Sequence, residues 1–384
     1  MNDKPRVLLV GNHLSGAGFN PSVCESLADR LRRRGWRVLT TSHQPRRLAR
    51  LCDMLGTVWR VRHDYELAHV DVYSGRAFLW AEAVCRLLRL AGKPYIVTLR
   101  GGNLARFARR RPRRIKRLLS GAAAVTTPSR FLFEQFASAE ARIQGSTLPT
   151  TSPRFLEQFG SADQPINGST AINGSTAPHL IPNPIDVGAY HYRPRRAIEP
   201  RLVWLRAFHR IYQPELAVTA LSELVREFPA ARLTMVGPDK GDGSLAGTRR
   251  LAERYGLTRR IDFPGAASKS SLPALLDTGD IFLNTSRVDN TPVSVLEAMA
   301  GGLCIVSTSA GGMPYLLRHE CDALLTTSGR PAEMAAAVRR VLHDPALAEQ
   351  LSQNARRNVE PHDWSAVLPL WERLFLAAAE GSAT

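Results

Sequence analysis

The chain has 384 residues, enough for two domains or one large one, and its 44% hydrophobic and 22% charged residues are ordinary for globular cores. Its 51 Lys and Arg against 34 Asp and Glu give a net charge of +17, and the excess is local: residues 1–150 hold 27 basic and 10 acidic residues, whereas residues 151–384 hold 24 and 24. A basic surface in one half implies an anionic partner, whether nucleic acid, a membrane face or a phosphorylated ligand. No run approaches the roughly 20 apolar residues of a membrane-spanning helix. The start, before Val7-Leu8-Leu9-Val10, has no apolar signal-peptide core. Cys24, Cys52, Cys85, Cys304 and Cys321 are odd in number and scattered without a CxxC pair, which argues against a disulfide framework or a zinc site and for a reducing, cytoplasmic setting.

Along the chain, residues 6–10 read as a buried strand leading into a loop with Gly16 and Gly18. Val23, Leu27 and Leu31, at four-residue spacing, predict an amphipathic helix over 22–34, ended by Gly35. Residues 36–39, 70–73, 95–99 and 122–126 predict further strands with helices between them. The second half repeats the pattern, with strands expected at 202–205, 232–236, 261–263, 281–284 and 304–307, and helices at 216–227, 248–255, 272–276, 293–300 and 332–342. Strand and helix alternating at this pace predict an α/β chain of two tandem doubly wound domains, with a cleft bordered by the carboxyl ends of their parallel sheets.

The stretch 138–178 breaks the pattern. Residues 128–136 are echoed by 152–159, residues 166–171 repeat at once as 172–177, and Ser, Thr, Gly, Pro and Ala dominate. It reads as a low-complexity insertion, a mobile loop without chemistry. Asn167 and Asn173 match the glycosylation sequon by chance on this reading, since no secretory signal accompanies them.

Chemistry concentrates in Asp289-Asn-Thr291-Pro292-Val293-Ser-Val-Leu-Glu297-Ala-Met-Ala-Gly301-Gly302. Pro292 suits the start of a helix, which would expose the amides from about Thr291 to Ser294 as a site for a diphosphate. Glu297 follows one turn later among apolar residues; taken bare, such a Glu is usually a solvated face residue.

The acidic residue, seven intervening residues, Glu297 and the Gly pair resemble the E-x7-E signature of family 4 glycosyltransferases with the GT-B fold. Phe263-Pro-Gly265, Asp280–Ser286, Ile305–Pro314 and Ile181-Pro-Asn183-Pro-Ile-Asp186 resemble the family's flanking segments. The resemblance covers nearly everything outside 138–178 and is strongest from 180 to 345. It implies an acceptor-side Rossmann-like domain over 1–180, a nucleotide-sugar-binding domain over 181–362, and a helix over 363–384 returning to the first. It also implies sugar transfer from a nucleotide sugar with retained configuration. With no Asp-x-Asp motif, neither metal nor other cofactor is expected.

By the same resemblance, Glu297 would accept hydrogen bonds from the donor's ribose, and Asp289, where the family usually has Glu, would lie near the donor sugar. Arg206 matches the Arg that holds the leaving diphosphate. The accompanying Lys is here Ile211, with Arg210 the nearest cation. Gly16 and Gly18 fall in the glycine-rich first loop, and Thr291 and Val293 at the diphosphate-binding helix start. Arg100-Gly101-Gly102-Asn103 stands in place of the family's His-Gly loop; Arg100 cannot act as a base at pH 7, so it would orient an anionic acceptor or stabilise charge. His13, His43, His63 and His69 are further candidates for chemistry in this domain, although each, taken alone, reads more often as a surface residue. Arg206, Asp289 and Arg100 are thus the candidate catalytic residues, with Gly18, Arg100 and Asn103 on the acceptor side.

Arg106, Arg109, Arg110, Arg113, Arg114, Lys116 and Arg117, together with Arg111, place eight cations in twelve residues. Phe107, Ile115, Leu118 and Leu119 add a partial apolar face, so the segment reads either as a surface that lies on anionic lipid or as a solvated helix. No nucleic-acid recognition module is visible. Many members of the resembled family use lipid-linked or envelope acceptors, so peripheral attachment to the inner membrane face is expected. A nucleotide-sugar epimerase and a non-catalytic nucleotide-sugar-binding relative are the alternatives.

Overall fold

The computed structural model describes residues 4–17, 20–136 and 178–381. Gly18, both sequons and residues 138–177 of the expected insertion lie outside the described residues. The chain divides into two compact units, Met1–Asn183 with Ser365–Thr384, and Pro184–Trp364.

The first unit contains β1 (Val7–Val10), β2 (Val38–Thr41), β3 (Leu67–Val72), β4 (Tyr95–Leu99), β5 (Ala124–Thr127) and β6 (His179–Leu180). These form one parallel sheet in the order β2-β1-β3-β4-β5-β6. The strand expected at 70–73 begins earlier, at Leu67, because His69 and Asp71 interrupt what would otherwise read as a continuous apolar run; every residue of β3 is buried. Trp36 does not open β2. Its indole Nε1 donates to Glu372 at 2.9 Å, and the strand begins two residues later.

The helix Val23–Arg33 is capped by Ser22, whose side chain accepts from the Glu25 amide at 3.1 Å, and it buries Cys24, Leu27, Ala28 and Leu31. Helices Arg47–Arg60 and Arg76–Leu90 follow β2 and β3. After β4 come two short helices, Leu104–Arg110 and Pro112–Leu119, the second opened by a proline that has no N–H to leave unpaired. The last helix, Trp364–Glu380, contributes Trp371 and Phe375 to this unit: Trp371 meets His69 edge-on at 5.1 Å, and Phe375 meets Trp36 at 5.9 Å.

The second unit holds β7 (Arg201–Leu205), β8 (Arg232–Val236), β9 (Ile261–Gly265), β10 (Ile281–Asn284), β11 (Cys304–Thr308) and β12 (Leu324–Thr326). They form a parallel sheet in the order β12-β11-β10-β7-β8-β9. Alternate residues of each strand enter opposite cores. Leu202, Trp204, Ile281, Leu283, Cys304 and Val306 pack on one face, with Val203, Phe282 and Ile305 on the other. Helices therefore cover both faces, and the interior strands read as near-continuous apolar runs.

Strand order reverses between β1 and β3 in the first unit and between β7 and β10 in the second. In open α/β sheets the loops at such a reversal part to either side and leave a crevice at the carboxyl ends of the strands, which is where ligands bind.

Candidate active site

In the second unit the reversal point is occupied by the residues the sequence singled out. Arg206 leaves β7 and Asp289 lies in the loop after β10; the Arg206 Nη2 and Asp289 Oδ2 form an ion pair. The guanidinium also stacks over the Tyr212 ring at 4.4 Å, and its buried Nε has no hydrogen-bond partner among the described residues. Burial works against the charge, but Asp289, Tyr212 and Glu297 together more than offset it, so Arg206 is held protonated more firmly than an exposed arginine.

The backbone around this pair is packed to contact. A Cβ at Gly237 would fall on the Arg206 carbonyl oxygen, and one at Gly312 on the Asn290 carbonyl oxygen. The Gly312 amide donates to the Asp289 carbonyl at 2.9 Å, and the Asn290 amide to Asp289 Oδ1 at 2.9 Å. Glycine at these positions lets the loop after β8 close on that after β7, and the loop after β11 on that after β10.

The helix Val293–Ala300 begins at the cap residue Pro292 with no side chain capping it, so its first amides, including that of Val293, are free of the usual Ser or Asp partner. Thr291 is buried just before it. Glu297 is no solvated face residue: it is 3% exposed in a helix buried on nearly every side. Lys269 forms an ion pair with it and the Tyr190 hydroxyl bonds to it. Burial first, and then Glu297, push the Tyr190 hydroxyl's pKa far up, so it remains a donor. Sequence reasoning missed Lys269, Tyr190 and Tyr212; none carries a periodic or motif signal, since Lys269 meets Glu297 from 28 positions away.

Arg210 does not join this group. It is exposed in the turn Arg210–Tyr212, where its backbone amide donates to Asp242 Oδ2 at 2.9 Å, and no bond holds its side chain among the described residues. Ile211 works through its backbone, its carbonyl accepting from the Arg287 amide at 2.8 Å.

In the first unit, Arg100 follows β4 with its side chain largely covered. Its Nε donates to Asp71 Oδ1 at 2.5 Å and its Nη1 to Asn183 Oδ1 at 3.0 Å. Burial opposes its charge, and Asp71, near the end of β3, together with Tyr73 and Cys24 more than restores it. Behind the pair, His69 Nε2 meets Thr98 Oγ1 at 2.7 Å, and Cys24 Sγ lies 3.9 Å from His13 Nε2 and 4.0 Å from His69 Nδ1. His13 and His69 are therefore core residues, against the surface expectation; His43 and His63 are exposed. Burial holds His69 down at about 4 and lowers His13 as well.

Cys24, His69 and Asp71 offer donor atoms within 4.8 Å of one another. Arg100 already compensates the Asp71 carboxylate, however, so a dication there would face a buried guanidinium. Gly16 is exposed in the turn Ser15–Ala17, and Asn103 is exposed at the start of Leu104–Arg110 without capping it.

The basic segment is built differently from expectation. Phe107, Ile115, Leu118 and Leu119 pack into the first unit's core, so its apolar face is not offered to lipid. Arg106, Arg109, Arg110, Arg113, Lys116 and Arg117 are exposed, and Arg114 pairs with Glu82. Among the described residues, no helix is long and apolar enough to cross a membrane.

Residues 199–358 match the family model described as glycosyl transferases group 1. Over 166 residues the chain is 30% identical to a phosphatidylinositol N-acetylglucosaminyltransferase subunit from Arabidopsis thaliana, an alignment covering 42% of this chain and 36% of that protein. It is likewise 30% identical over 166 residues to glycogen synthase of Mycobacterium tuberculosis, covering 43% and 39%. The matched stretch thus spans less than two-fifths of either relative. Among solved structures, HepE of Anabaena in complex with UDP aligns over 97% of this chain and 100% of its own, with a TM-score of 0.69 at 16% identity. Sucrose-phosphate synthase from Thermosynechococcus elongatus aligns over 97% and 100%, at 0.72 and 19%. The fold is the two-domain α/β fold of GT-B type, and residues 199–358 are similar to the group 1 glycosyltransferases.

Proposed function

We propose that the chain is a retaining, metal-independent glycosyltransferase that moves a sugar from a nucleotide sugar to an acceptor presented at the cytoplasmic face of an anionic membrane. The observation that carries the reading is the half-buried pairing of Arg206 with Asp289 at the strand-order reversal of the second unit, beside an uncapped helix start and the buried Glu297. A guanidinium and free helix amides are suited to a diphosphate, and a buried carboxylate to ribose hydroxyls. HepE, a structure of the same fold, was solved with UDP, which supports a nucleoside diphosphate as the group held.

In the reaction the bond from the anomeric carbon to the diphosphate breaks and its electron pair stays on the phosphate oxygen. Arg206 and the amides at Val293 stabilise that developing charge. The acceptor hydroxyl attacks from the same face and passes its proton to the departing phosphate. Arg206 and the amides supply the positive charge, so no metal is required. Glu297, positioned by Lys269 and Tyr190, holds the ribose, and Asp289 orients Arg206 and faces the donor sugar. The exposed cations of helices Leu104–Arg110 and Pro112–Leu119 provide the membrane-facing charge.

The test is to incubate the protein with UDP-, GDP- and ADP-sugars and candidate acceptors, following nucleoside diphosphate release. Arg206→Ala should lower kcat on the order of a hundredfold. Glu297→Ala should weaken donor binding roughly tenfold to a hundredfold. Interconversion of sugars without release would indicate an epimerase. Tight binding without turnover on any acceptor would indicate a non-catalytic relative, the reading that Ile211 and the outlying Arg210 favour.

A further inference from the structure

We propose that Arg100 anchors a phosphate ester carried by the acceptor; this deepens, and rests on, the glycosyltransferase reading. The guanidinium is fixed on two sides. Asp71 holds Nε at 2.5 Å and Asn183 holds Nη1 at 3.0 Å, while its backbone amide donates to the Val72 carbonyl at 3.0 Å. The adjoining loops are locked too, since a Cβ at Gly101 would come within 2.9 Å of the Ser74 amide nitrogen. Nη2 alone has no hydrogen-bond partner among the described residues, although it is buried and the side chain is 8% exposed.

A buried guanidinium N–H left unpaired costs roughly 1–3 kcal/mol or more, and proteins leave such donors where a ligand completes them. Arg100 sits beside the reversal between β1 and β3, at the carboxyl end of β4, where an open α/β sheet takes its ligand. Asp71 orients the fork without occupying it, and a planar, permanently charged donor set suits phosphate oxygens. The surrounding half of the chain, with 27 basic and 10 acidic residues in 1–150, draws in an anion rather than a neutral sugar. A histidine at this position would offer proton transfer; this arginine offers a fixed anion contact.

The full-length protein is titrated calorimetrically with glycerol 1-phosphate, and separately with vesicles containing phosphatidic acid, in the presence of saturating UDP. UDP fills the Arg206 site, so phosphate binding that persists reports a second site. Failure of UDP, GDP and ADP all to bind would refute the glycosyltransferase reading itself. Nucleotide binding without a second phosphate site would refute only the present inference. The expected result is saturable phosphate binding that Arg100→Gln weakens at least roughly tenfold. Arg100→Lys, which keeps a cation beside Asp71 and remains readable if the Gln variant unfolds, should show a smaller but measurable loss. A response to glycerol 1-phosphate assigns a soluble ester, and a response to vesicles alone a lipid-borne one. Equal affinity in wild type and both variants for both probes would overturn the proposal, as would competition between UDP and phosphate for one site.

Discussion

His69 shows how far a single residue departs from its unfolded behaviour. It is fully buried between Thr98 and Trp371, and burial holds its imidazole down at about 4. The unfolded chain, with an ordinary His near 6.5, binds more protons between these two values. The contribution of neutral His69 is therefore intact above pH 6.5 and is lost as pH falls toward 4, reaching on the order of 3 kcal/mol at the acid end. Unfolding midpoints measured from pH 7 to 4 should fall for the wild type and fall less steeply for His69→Gln; parallel slopes would remove His69 as the cause. The sequence could not disclose this, because a lone His in an unrecognised strand looks like any surface His. Arg206 and Glu297 were singled out by the resemblance, one after a strand and the other in a signature, but their partners were not. Asp71 reaches Arg100 across 29 positions and Lys269 reaches Glu297 across 28, and only tertiary folding makes those neighbours.

Four elements were read from the sequence with their true bounds: Tyr95–Leu99, Arg232–Val236, Ile281–Asn284 and Val293–Ala300. Leu67–Val72, whose apolar pattern is broken by His69 and Asp71, was read three residues late. The pair Leu104–Arg110 and Pro112–Leu119 gives the sharpest lesson. Its apolar residues had to satisfy the unit's own core before any lipid, and the net outward product is charge alone. Binding to anionic vesicles by this face would then be electrostatic, weakening with salt and by about 1 kcal/mol for each cation lost near the surface. Reversing Arg109, Arg110 and Arg113 to Glu should abolish vesicle binding in flotation assays while leaving the unfolding midpoint within a few degrees. Leu118→Ala should do the opposite, destabilising by about 2–5 kcal/mol with vesicle binding per folded molecule retained. Salt-insensitive binding, or binding untouched by the triple reversal, would remove this face from membrane attachment.

At the scale of the whole chain, the two units are continuous in different ways. Pro184–Trp364 is a single stretch with a charge-balanced surround, whereas the strongly basic unit is assembled from Met1–Asn183 and Ser365–Thr384. The first unit therefore depends on the far end of the chain for part of its core. Trp371 is 2% exposed and Phe375 fully buried; between them they meet His69, Trp36 and each other, and Glu372 accepts a hydrogen bond from the Trp36 indole N–H. Truncating a buried aromatic to Ala leaves a cavity and costs about 3–5 kcal/mol. Phe375→Ala should consequently speed amide hydrogen exchange in β1, β2 and β3 of the first unit, near the lost contacts. Exchange in β7, β10 and β11, whose cores are completed within Pro184–Trp364, should be unchanged, and so should UDP affinity at Arg206. Exchange rising equally in both sheets would mean that the two units open as one cooperative body and that this helix stabilises more than the core it fills.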